Sequence, residues 1–482
     1  MNSANLFALS PFFVLAATPV VIMLVIAFYR NHLLTALLTV TGLVLTLGTI
    51  FLVSPVAPRQ VTPLIVIDGY ALFFMALMVG TTLPVALLSY GYLKKHGENK
   101  EEFYVLLLTA ALGASVMVSS SHFASFFVGL EILNVSLYAL IAYLRRLPKS
   151  IEAGIKYLIL AAMSDAFLLF GMALVYAQAG RMDLSGLKLL SNMSSAGSTV
   201  VVTGLSMLII GIGFKLAVAP FHMWTPDVYE GAPAPITAFI ATVSKGAMFA
   251  VLFRYLTQSN VQAETSLFIV FSAIAIASMF VGNFLALLQN NVKRILAYSS
   301  IAHMGYLLIA FLATGPMAIT AVSFYLVAYF VTTLGAFGVI TVLSGSEGDA
   351  DDLEDYRGLA WKRPWLAGVF TAMLLSLAGI PLTAGFLGKL YVMAAGVGSA
   401  LWLLVTILVI NSAIGLFYYL RVIIVTFSRA PAVMETIRPS SSAPVGASIV
   451  LAALTLLLLF LGVYPSPIID VIRITAAKLI NV

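Results

Sequence analysis

The sequence predicts an all-α integral membrane protein with about fourteen transmembrane helices. Hydrophobic residues make up 61% of the 482 residues, charged residues make up only 9%, and the mean hydropathy is +1.07. A soluble domain carries roughly 25% charged residues. Because a water-soluble fold of this composition would have too little polar surface to face water, the bilayer must be its solvent.

The apolar runs of the chain are long enough to cross a membrane. A spanning helix needs about 20 apolar residues. Runs of this length begin near Leu9, Leu34, Tyr70, Phe103, Phe123, Ile155, Val200, Pro235, Leu267, Ile295, Pro316, Trp365, Leu401 and Val445. Their spacing predicts three N-terminal helices in residues 1–102, five-helix repeats in 103–256 and 257–430, and a last helix in 431–482. Nothing along the chain predicts a second, soluble domain.

Basic residues concentrate on one side of this predicted bundle. Loops after odd-numbered helices hold Arg30, Lys94, Lys95, Lys100, Arg145, Arg146, Lys149, Lys293, Arg294, Lys362, Arg363 and Arg429. Loops after even-numbered helices hold little beyond Arg59, Arg181, Lys188 and Arg254. Since basic loops stay in the cytoplasm, the pattern predicts that both termini lie outside it.

The composition restricts the cofactors that the chain can bind. It has no cysteine, which excludes disulfides, iron–sulfur clusters and thiolate metal sites. The histidines near membrane segments do not form a repeated pair on two helices, so haem ligation is not expected. There is also no Gly-rich phosphate loop and no metal-ligand pair at helical spacing. We therefore expect no cofactor in this chain.

Four ionisable residues fall well inside apolar segments: Glu131, Lys215, Lys245 and Lys389. Such a residue at mid-bilayer costs at least about 2.5–3.5 kcal/mol, so it usually pairs or faces a wet cavity. One interpretation is structural: a lysine reaches an interface, or a Glu–Lys pair holds two helices together. The other is proton transfer, because desolvation and nearby charges tune such groups to exchange protons near neutral pH.

Two helices that carry these lysines contain helix-breaking residues. Pro220 follows Lys215, while Gly379 and Pro381 precede Lys389. Proline inside a helix removes a backbone hydrogen bond, and freed carbonyls are tolerated at depth only where protein or water satisfies them. Both breaks contain Gly-Phe shortly before the lysine. Broken helices at corresponding places in two halves indicate the transport site of inverted-repeat transporters.

Further polar residues are secondary candidates. Lys156 either supports proton transfer or marks the cytoplasmic end of its helix, and His222 either relays protons or caps a broken helix. His303 is a further candidate. Asp165 lies deep in the sixth segment and its role is open, whereas Lys293 begins a helix and is expected at the membrane interface.

One acidic stretch, residues 347–357, separates the eleventh and twelfth segments. A solvated, partly helical loop is the simpler interpretation. The alternative is a docking surface for a neighbouring subunit.

Several of these motifs together resemble a known family. The block 215–235, KLAVAPFHMWTPDVYEGAPAP, resembles the antiporter-like subunits of respiratory complex I, as do Glu131, Ser244-Lys245 and the run 298–305. The resemblance implies fourteen helices with two inverted five-helix repeats and two broken helices. It also implies that Glu131 and Lys215 form a coupling pair, Lys245 is the central relay and Lys389 serves the second half-channel. Lys156, His222 and His303 would be supporting positions, and Asp165 matches none.

The resemblance also implies partners and a location. The chain would sit in the bacterial inner membrane, with periplasmic termini, among other complex I membrane subunits that include its homologues. FMN and iron–sulfur clusters would reside in partner subunits and pass electrons from NADH to quinone. Two alternatives remain open: a subunit of a multi-subunit cation/proton antiporter, and a membrane scaffold whose charges only pair helices.

Overall fold

The computed structural model describes residues 3–96, 100–183, 199–257, 265–429 and 444–480. Thirteen helices in these ranges are long and apolar enough to span a membrane. Two shorter apolar helices, Pro364–Ala378 and Ala384–Gly398, follow one another and form the halves of one broken helix. The predicted fourteen segments are therefore all found, and the all-helical membrane class is confirmed.

The N-terminal helices are α1 (Ser3–Ala8), α2 (Ser10–Phe28), α3 (His32–Val53) and α4 (Gly69–His96). The next group comprises α5 (Glu101–Val118), α6 (Phe123–Ile141), α7 (Pro148–Ala179), α8 (Thr199–Leu216), α9 (Trp224–Gly231), α10 (Ala234–Phe239) and α11 (Lys245–Thr257). The following group comprises α12 (Thr265–Leu287), α13 (Val292–Leu312), α14 (Pro316–Leu343), α15 (Leu359–Lys362), α16 (Pro364–Ala378), α17 (Ala384–Gly398) and α18 (Trp402–Phe427). The chain ends with α19 (Val445–Val463) and α20 (Ser466–Ile480).

Some elements were not anticipated from the sequence. Strands β1 (Arg59–Thr62) and β2 (Ile65–Ile67) form a short antiparallel hairpin before α4. A π-helical turn, Ile240–Ser244, joins α10 to α11. After the last spanning helix, α20 packs against α4 and α14. The domain division stays a prediction, and both Lys188 and the boundary at 430/431 lie outside the described residues.

The centre of the bundle consists of α10, α11, α13 and α14. The spanning part of α13 is wholly buried, and those of α14 and of the α10–α11 span are almost so. A helix that is apolar on every side belongs in a core. In contrast, α2 and α3 leave much of their apolar surface exposed, as suits helices that face lipid. Polar groups on the central helices therefore lie far from lipid.

The first broken helix separates α8 from α9. Ala217 has a positive φ of 57° and ends the helical path directly after the turn that contains Lys215. The carbonyl of Phe214 accepts a hydrogen bond of 2.9 Å from the Trp224 indole, and the Ala219 amide donates one of 2.9 Å to Ser278. Protein side chains thus satisfy backbone groups that the break frees, which is the condition for irregular backbone at membrane depth.

The second broken helix separates α16 from α17. Gly379 ends α16 with φ +87°, and the Thr383 side chain caps the start of α17. Lys389 folds back across the break, and its ammonium donates a 2.8 Å hydrogen bond to the Ala378 carbonyl. Carbonyls at a helix C-terminus lack intrahelical partners and attract cations. The break therefore frees the backbone carbonyl that binds the Lys389 ammonium.

Gly379→Ala should destabilise this second break. A Cβ there would lie 2.9 Å from Cδ of Lys389, and the φ of +87° strains any side chain. We expect a loss of about 1–2 kcal/mol, seen as a lower thermal unfolding midpoint, with slower proton transfer because Lys389 is displaced. Gly368→Ala is the matched control, since it lies on exposed α16 surface with no atom within 4 Å. That control should be neutral or stabilise by roughly 0.5–1 kcal/mol, and equal losses in both variants would contradict this account.

The acidic stretch 347–357 is not simply a solvated loop. It does contain the expected short helical turn, Leu353–Tyr356. However, Tyr356 is wholly buried and Asp349 forms a 2.6 Å ion pair with Lys293. Lys293 begins α13 as predicted, and its position at the membrane interface stays a prediction. Its side chain is completely buried. The reason is that the acidic stretch folds over the start of α13 and supplies its counter-charge.

A second buried ion pair lies between α4 and α11. Arg254 contacts both carboxylate oxygens of Asp68, at 2.8 and 2.9 Å, and its guanidinium lies 4.7 Å from the Tyr70 ring centroid. Asp68 also accepts a 2.7 Å hydrogen bond from the Ala71 amide. This bidentate geometry is the stronger form of an ion pair, and it joins the N-terminal helices to α11.

Candidate proton-transfer site

Lys215 is held by a carboxylate that the sequence analysis left without a role. The Lys215 ammonium lies 2.8 Å from Asp165 Oδ1, and both side chains are almost fully buried. The Asn134 amide donates a 2.9 Å hydrogen bond to the other oxygen of Asp165. Lys215, in the last turn of α8, is thus neutralised by Asp165 of α7, and Asn134 of α6 holds that carboxylate in position.

Glu131 lies beside this pair and is half-buried. Its carboxyl group is a neighbour of the Asp165 carboxyl and lies within the electrostatic reach of Lys215. Glu131 and Asn134 are three residues apart on α6 and so share one helix face. The predicted Glu131–Lys215 coupling therefore includes a third member, because the direct ion pair recorded for Lys215 in the described ranges is to Asp165.

Lys245 occupies the middle of the bundle and is only 1% exposed. Its ammonium donates a 2.7 Å hydrogen bond to the Ser300 hydroxyl, which also accepts a 2.8 Å bond from Tyr329. The Tyr229 ring lies 5.3 Å from the same ammonium. The lysine directly follows the π-helical turn, a distortion that is frequent at functional sites. Within the described part of the chain, Lys245 has no carboxylate partner.

His303 lies between Lys245 and Lys389, close enough for either charge to act on it. It follows Ser300 by one turn of α13. Its Nδ1 is 2.7 Å from the Tyr325 hydroxyl, and its Nε2 is 3.3 Å from that of Tyr419. A cavity of about 10 Å³ adjoins the imidazole, which is room for a single water molecule. This histidine therefore lies between the two lysines, and the hydroxyl groups around it can both donate and accept hydrogen bonds.

Lys389 completes the row on α17. In addition to the Ala378 carbonyl, its ammonium donates a 2.8 Å hydrogen bond to the Ser412 hydroxyl of α18. The Tyr306 ring of α13 lies 5.3 Å away. Like Lys245, this lysine is buried and has no carboxylate partner in the described ranges. Only neutral groups solvate its charge.

The structure separates the other two supporting candidates. His222 is buried within the first break, near the Pro220 carbonyl and inside the electrostatic range of Lys245. Lys156 is half-exposed near the start of α7 and forms ion pairs of 2.8 Å with Glu152 and 2.7 Å with Asp227. Thus His222 lies along the buried row, whereas Lys156 belongs to a surface network.

That network surrounds the second half of the first broken helix. Asp227 and Glu230 on α9 both contact Arg294, at 2.8 and 2.9 Å, and Glu230 also contacts Lys149 at 2.9 Å. The sequence analysis did not assign these carboxylates. Their only signal was a pair of acidic residues three apart on one helix face, next to loops rich in arginine and lysine. The network fixes α9 to the starts of α7 and α13.

Together these groups form a polar row through an apolar bundle. It runs from Glu131 and Asp165 through Lys215 and His222 to Lys245, and then through His303 to Lys389. Each lysine can hold or release a proton, and hydroxyl, imidazole and water groups between them can pass protons along hydrogen bonds. Among the described residues no group of three acidic or histidine side chains could bind a metal ion.

The fold and this row define a class of ion-translocating membrane subunit, and sequence comparison agrees. Residues 120–415 match the family model described as NADH:quinone oxidoreductase/Mrp antiporter, TM. The chain therefore belongs to the family of antiporter-like transmembrane subunits of NADH:quinone oxidoreductases and Mrp antiporters. Within that family it is similar to the NADH-quinone oxidoreductase subunit N of Ectopseudomonas mendocina (strain ymp). The two sequences are 48% identical over 479 residues, covering 98% of this chain and 97% of the relative.

Solved structures support the same assignment. Respiratory complex I from Thermus thermophilus contains a chain that is 32% identical, with a TM-score of 0.79 over 95% of this chain and 98% of the other. An archaeal membrane-bound sulfane sulfur reductase and the Mrp complex from Dietzia sp. DQ12-45-1b share the fold. Their TM-scores are 0.85 and 0.86, at 23% and 19% identity, over 99% of this chain and 98% of each of theirs. The family interpretation drawn from the 215–235 block is confirmed.

Proposed function

We propose that this chain is the proton-translocating subunit of a bacterial NADH-quinone oxidoreductase and that it moves protons along the buried row. The observation that carries the proposal is the series of three buried lysines, Lys215, Lys245 and Lys389, with hydroxyl and imidazole groups beside and between them. A charge buried without a carboxylate partner is costly, so Lys245 and Lys389 would only destabilise a bundle in which they had a purely structural role.

The Asp165–Lys215 pair is the proposed switch of this relay. While the pair is closed, the carboxylate neutralises Lys215 at 2.8 Å. When the pair opens, the uncompensated charge of Lys215 favours release of a proton from the next group, His222 or Lys245, because like charges disfavour each other's protonated form. Glu131, beside Asp165, is placed to respond to events in a neighbouring subunit. Electron transfer itself belongs to partner subunits.

We base the proposed direction of the relay on the positions of the two breaks. Lys215 and Lys389 each lie at the interruption of a membrane-spanning helix, where freed backbone groups need a protein or water partner. Lys245 and His303 lie between them in the part of the bundle that is closed to solvent. We propose that Lys215 receives the coupling signal and Lys389 exchanges protons with the far side. The chain would work in the bacterial inner membrane beside other complex I membrane subunits, with both termini in the periplasm.

Gentle detergent purification of the tagged chain from its native membrane tests the assignment to a redox complex. We expect FMN, iron–sulfur clusters and NADH-quinone reductase activity to copurify with it. A chain in which the central lysine of the row is replaced, Lys245→Met, should copurify with the same cofactors, because the proposal gives this residue no role in assembly. Recovery of the wild-type chain with only hydrophobic partners and no redox cofactor would favour the cation/proton antiporter instead.

A further inference from the structure

A basic cavity opens where α4 and α6 end and α5 begins, far along these helices from the hairpin of β1 and β2. Its volume is about 630 Å³. Four of the side chains that line it carry a permanent positive charge: Lys95, Lys100, Arg145 and Arg146. They come from the end of α4, the residue before α5 and the loop between α6 and α7. Residues distant in sequence thus place their charges around one space.

Three of these charges, on Lys95, Lys100 and Arg145, form no ion pair with a described residue. Glu102 also lines the cavity, but it forms an ion pair with Arg30, whose charge it offsets. Among the described residues, the Lys95 ammonium donates hydrogen bonds to two backbone carbonyls, of Val342 at 3.2 Å and Ser344 at 2.8 Å, which leaves its net charge in place. The space is therefore positive and suits an anion.

The same cavity contains a polar atom that lacks a partner among the described residues. Nε2 of His96 is buried and makes no hydrogen bond to any described residue, while Nδ1 is 2.9 Å from the Tyr92 carbonyl. Such atoms usually have a partner in a native protein, either protein, water or ligand. A ligand oxygen in the cavity would provide it.

The remaining lining indicates what kind of anion fits. Leu93, Leu106 and Ala139 make one wall apolar. Arg145 also lines an adjoining groove along the start of α7, where Ile151 and Ile155 are exposed by 40% and 52%. A free phosphate ion would not occupy an apolar groove, whereas an amphiphile would place its charged headgroup in the cavity and its apolar part in the groove. All of the basic residues lie at a helix end or in loops on the predicted cytoplasmic side, at the depth of lipid headgroups.

We propose that this cavity binds the anionic headgroup of a phospholipid from the cytoplasmic leaflet, with an acyl chain along the α7 groove. Anionic lipids are attracted to clusters of lysine and arginine at the cytoplasmic ends of transmembrane helices. The bound lipid would brace the loop between α6 and α7, the helices that carry Glu131 and Asp165. This inference is independent of the proton row, since none of its residues contributes to the cavity.

The test compares lipid retention by matched variants of the full chain, purified in its complex. After delipidation, the complex is exposed to mixed micelles with phosphatidylglycerol or with phosphatidylcholine, and bound lipid is counted by native mass spectrometry. The wild type should retain phosphatidylglycerol in preference to phosphatidylcholine. Lys100→Ala combined with Arg145→Ala should lower that retention roughly tenfold or more, since each basic residue adds to the attraction.

The control removes two positive charges from the same side of the chain without touching the cavity. Lys94 and Lys362 are exposed and do not line it, so Lys94→Ala combined with Lys362→Ala should retain lipid as the wild type does. Equal retention by both double variants, or equal loss, would overturn the proposal. Displacement of the lipid by millimolar inorganic phosphate would instead identify a site for free anions. Loss of a neighbouring subunit from the Lys100/Arg145 variant, with lipid unchanged, would identify a protein interface.

Discussion

Lys245→Met should slow proton translocation by about 100-fold, at the lower end of the effect of removing a positioned proton-transfer group. The reason is the position of Lys245. It is the only lysine between the two breaks in the described row, and its ammonium is hydrogen-bonded to the Ser300–Tyr329 pair that leads to His303. Methionine fills nearly the same volume but holds no proton. The measurement is the rate of acidification inside proteoliposomes during NADH oxidation.

The same substitution should leave the complex assembled. Lys245 has no carboxylate partner among the described residues, so its removal strands no opposite charge, and replacing a buried charge by a well-packed apolar group is often neutral or stabilising. Thr242→Val is the matched control. It lies three residues away and its buried hydroxyl bonds only within its own helix, to the carbonyls of Ala238 and Phe239. Normal translocation by Lys245→Met, or an equal decrease in the control, would contradict the central role of this lysine.

Variants of the Asp165–Lys215 pair should separate the effect of the pair on stability from its effect on proton translocation. Lys215→Met leaves the Asp165 carboxylate buried without its cation, which should cost roughly 3–5 kcal/mol of stability. Adding Asp165→Asn removes the stranded charge and keeps a group that can hydrogen-bond to Asn134. We therefore expect the double variant to regain most of the thermal stability while proton translocation stays lost.

This comparison separates a relay from a scaffold. If the pair only holds α7 and α8 together, the double variant should recover translocation along with stability, because two neutral side chains of similar size pack in the same place. If the single variant is as stable as the wild type, the ion pair of 2.8 Å does not exist in the membrane. Thermal unfolding of the purified complex and translocation in proteoliposomes are measured on the same preparations.

The features that the sequence predicted correctly are those whose free-energy cost depends on a short stretch of chain. Apolar length determines where helices cross the bilayer, and the cost of charge at depth marks Lys215, Lys245 and Lys389 wherever they lie in the fold. The interruptions near Pro220 and Pro381 follow from the missing amide hydrogen of proline. All of these signals are contained in short stretches of sequence, so no knowledge of packing is needed to interpret them.

The relationships among helices could not be predicted in this way. Asp165 was recognised as a deep acid, but its partner depends on which faces of α7 and α8 meet. The hydroxyls of Ser300 and Tyr329 resemble those of many other serines and tyrosines, and only packing places them beside Lys245. The burial of Lys293 could not be predicted from its place at a helix start, because it depends on the acidic stretch that folds over it. Partner choice is a long-range property of the fold.

The most direct test of the proposed proton row is the number of protons translocated per electron by the intact complex carrying Lys389→Met. This lysine lies farthest along the row from the Asp165–Lys215 pair, and its ammonium contacts only the neutral oxygens of Ala378 and Ser412. If protons pass along the row, the assembled complex should translocate fewer protons per electron than the wild type, or oxidise NADH more slowly because the steps are coupled. An unchanged ratio at an unchanged rate of NADH oxidation would contradict the account.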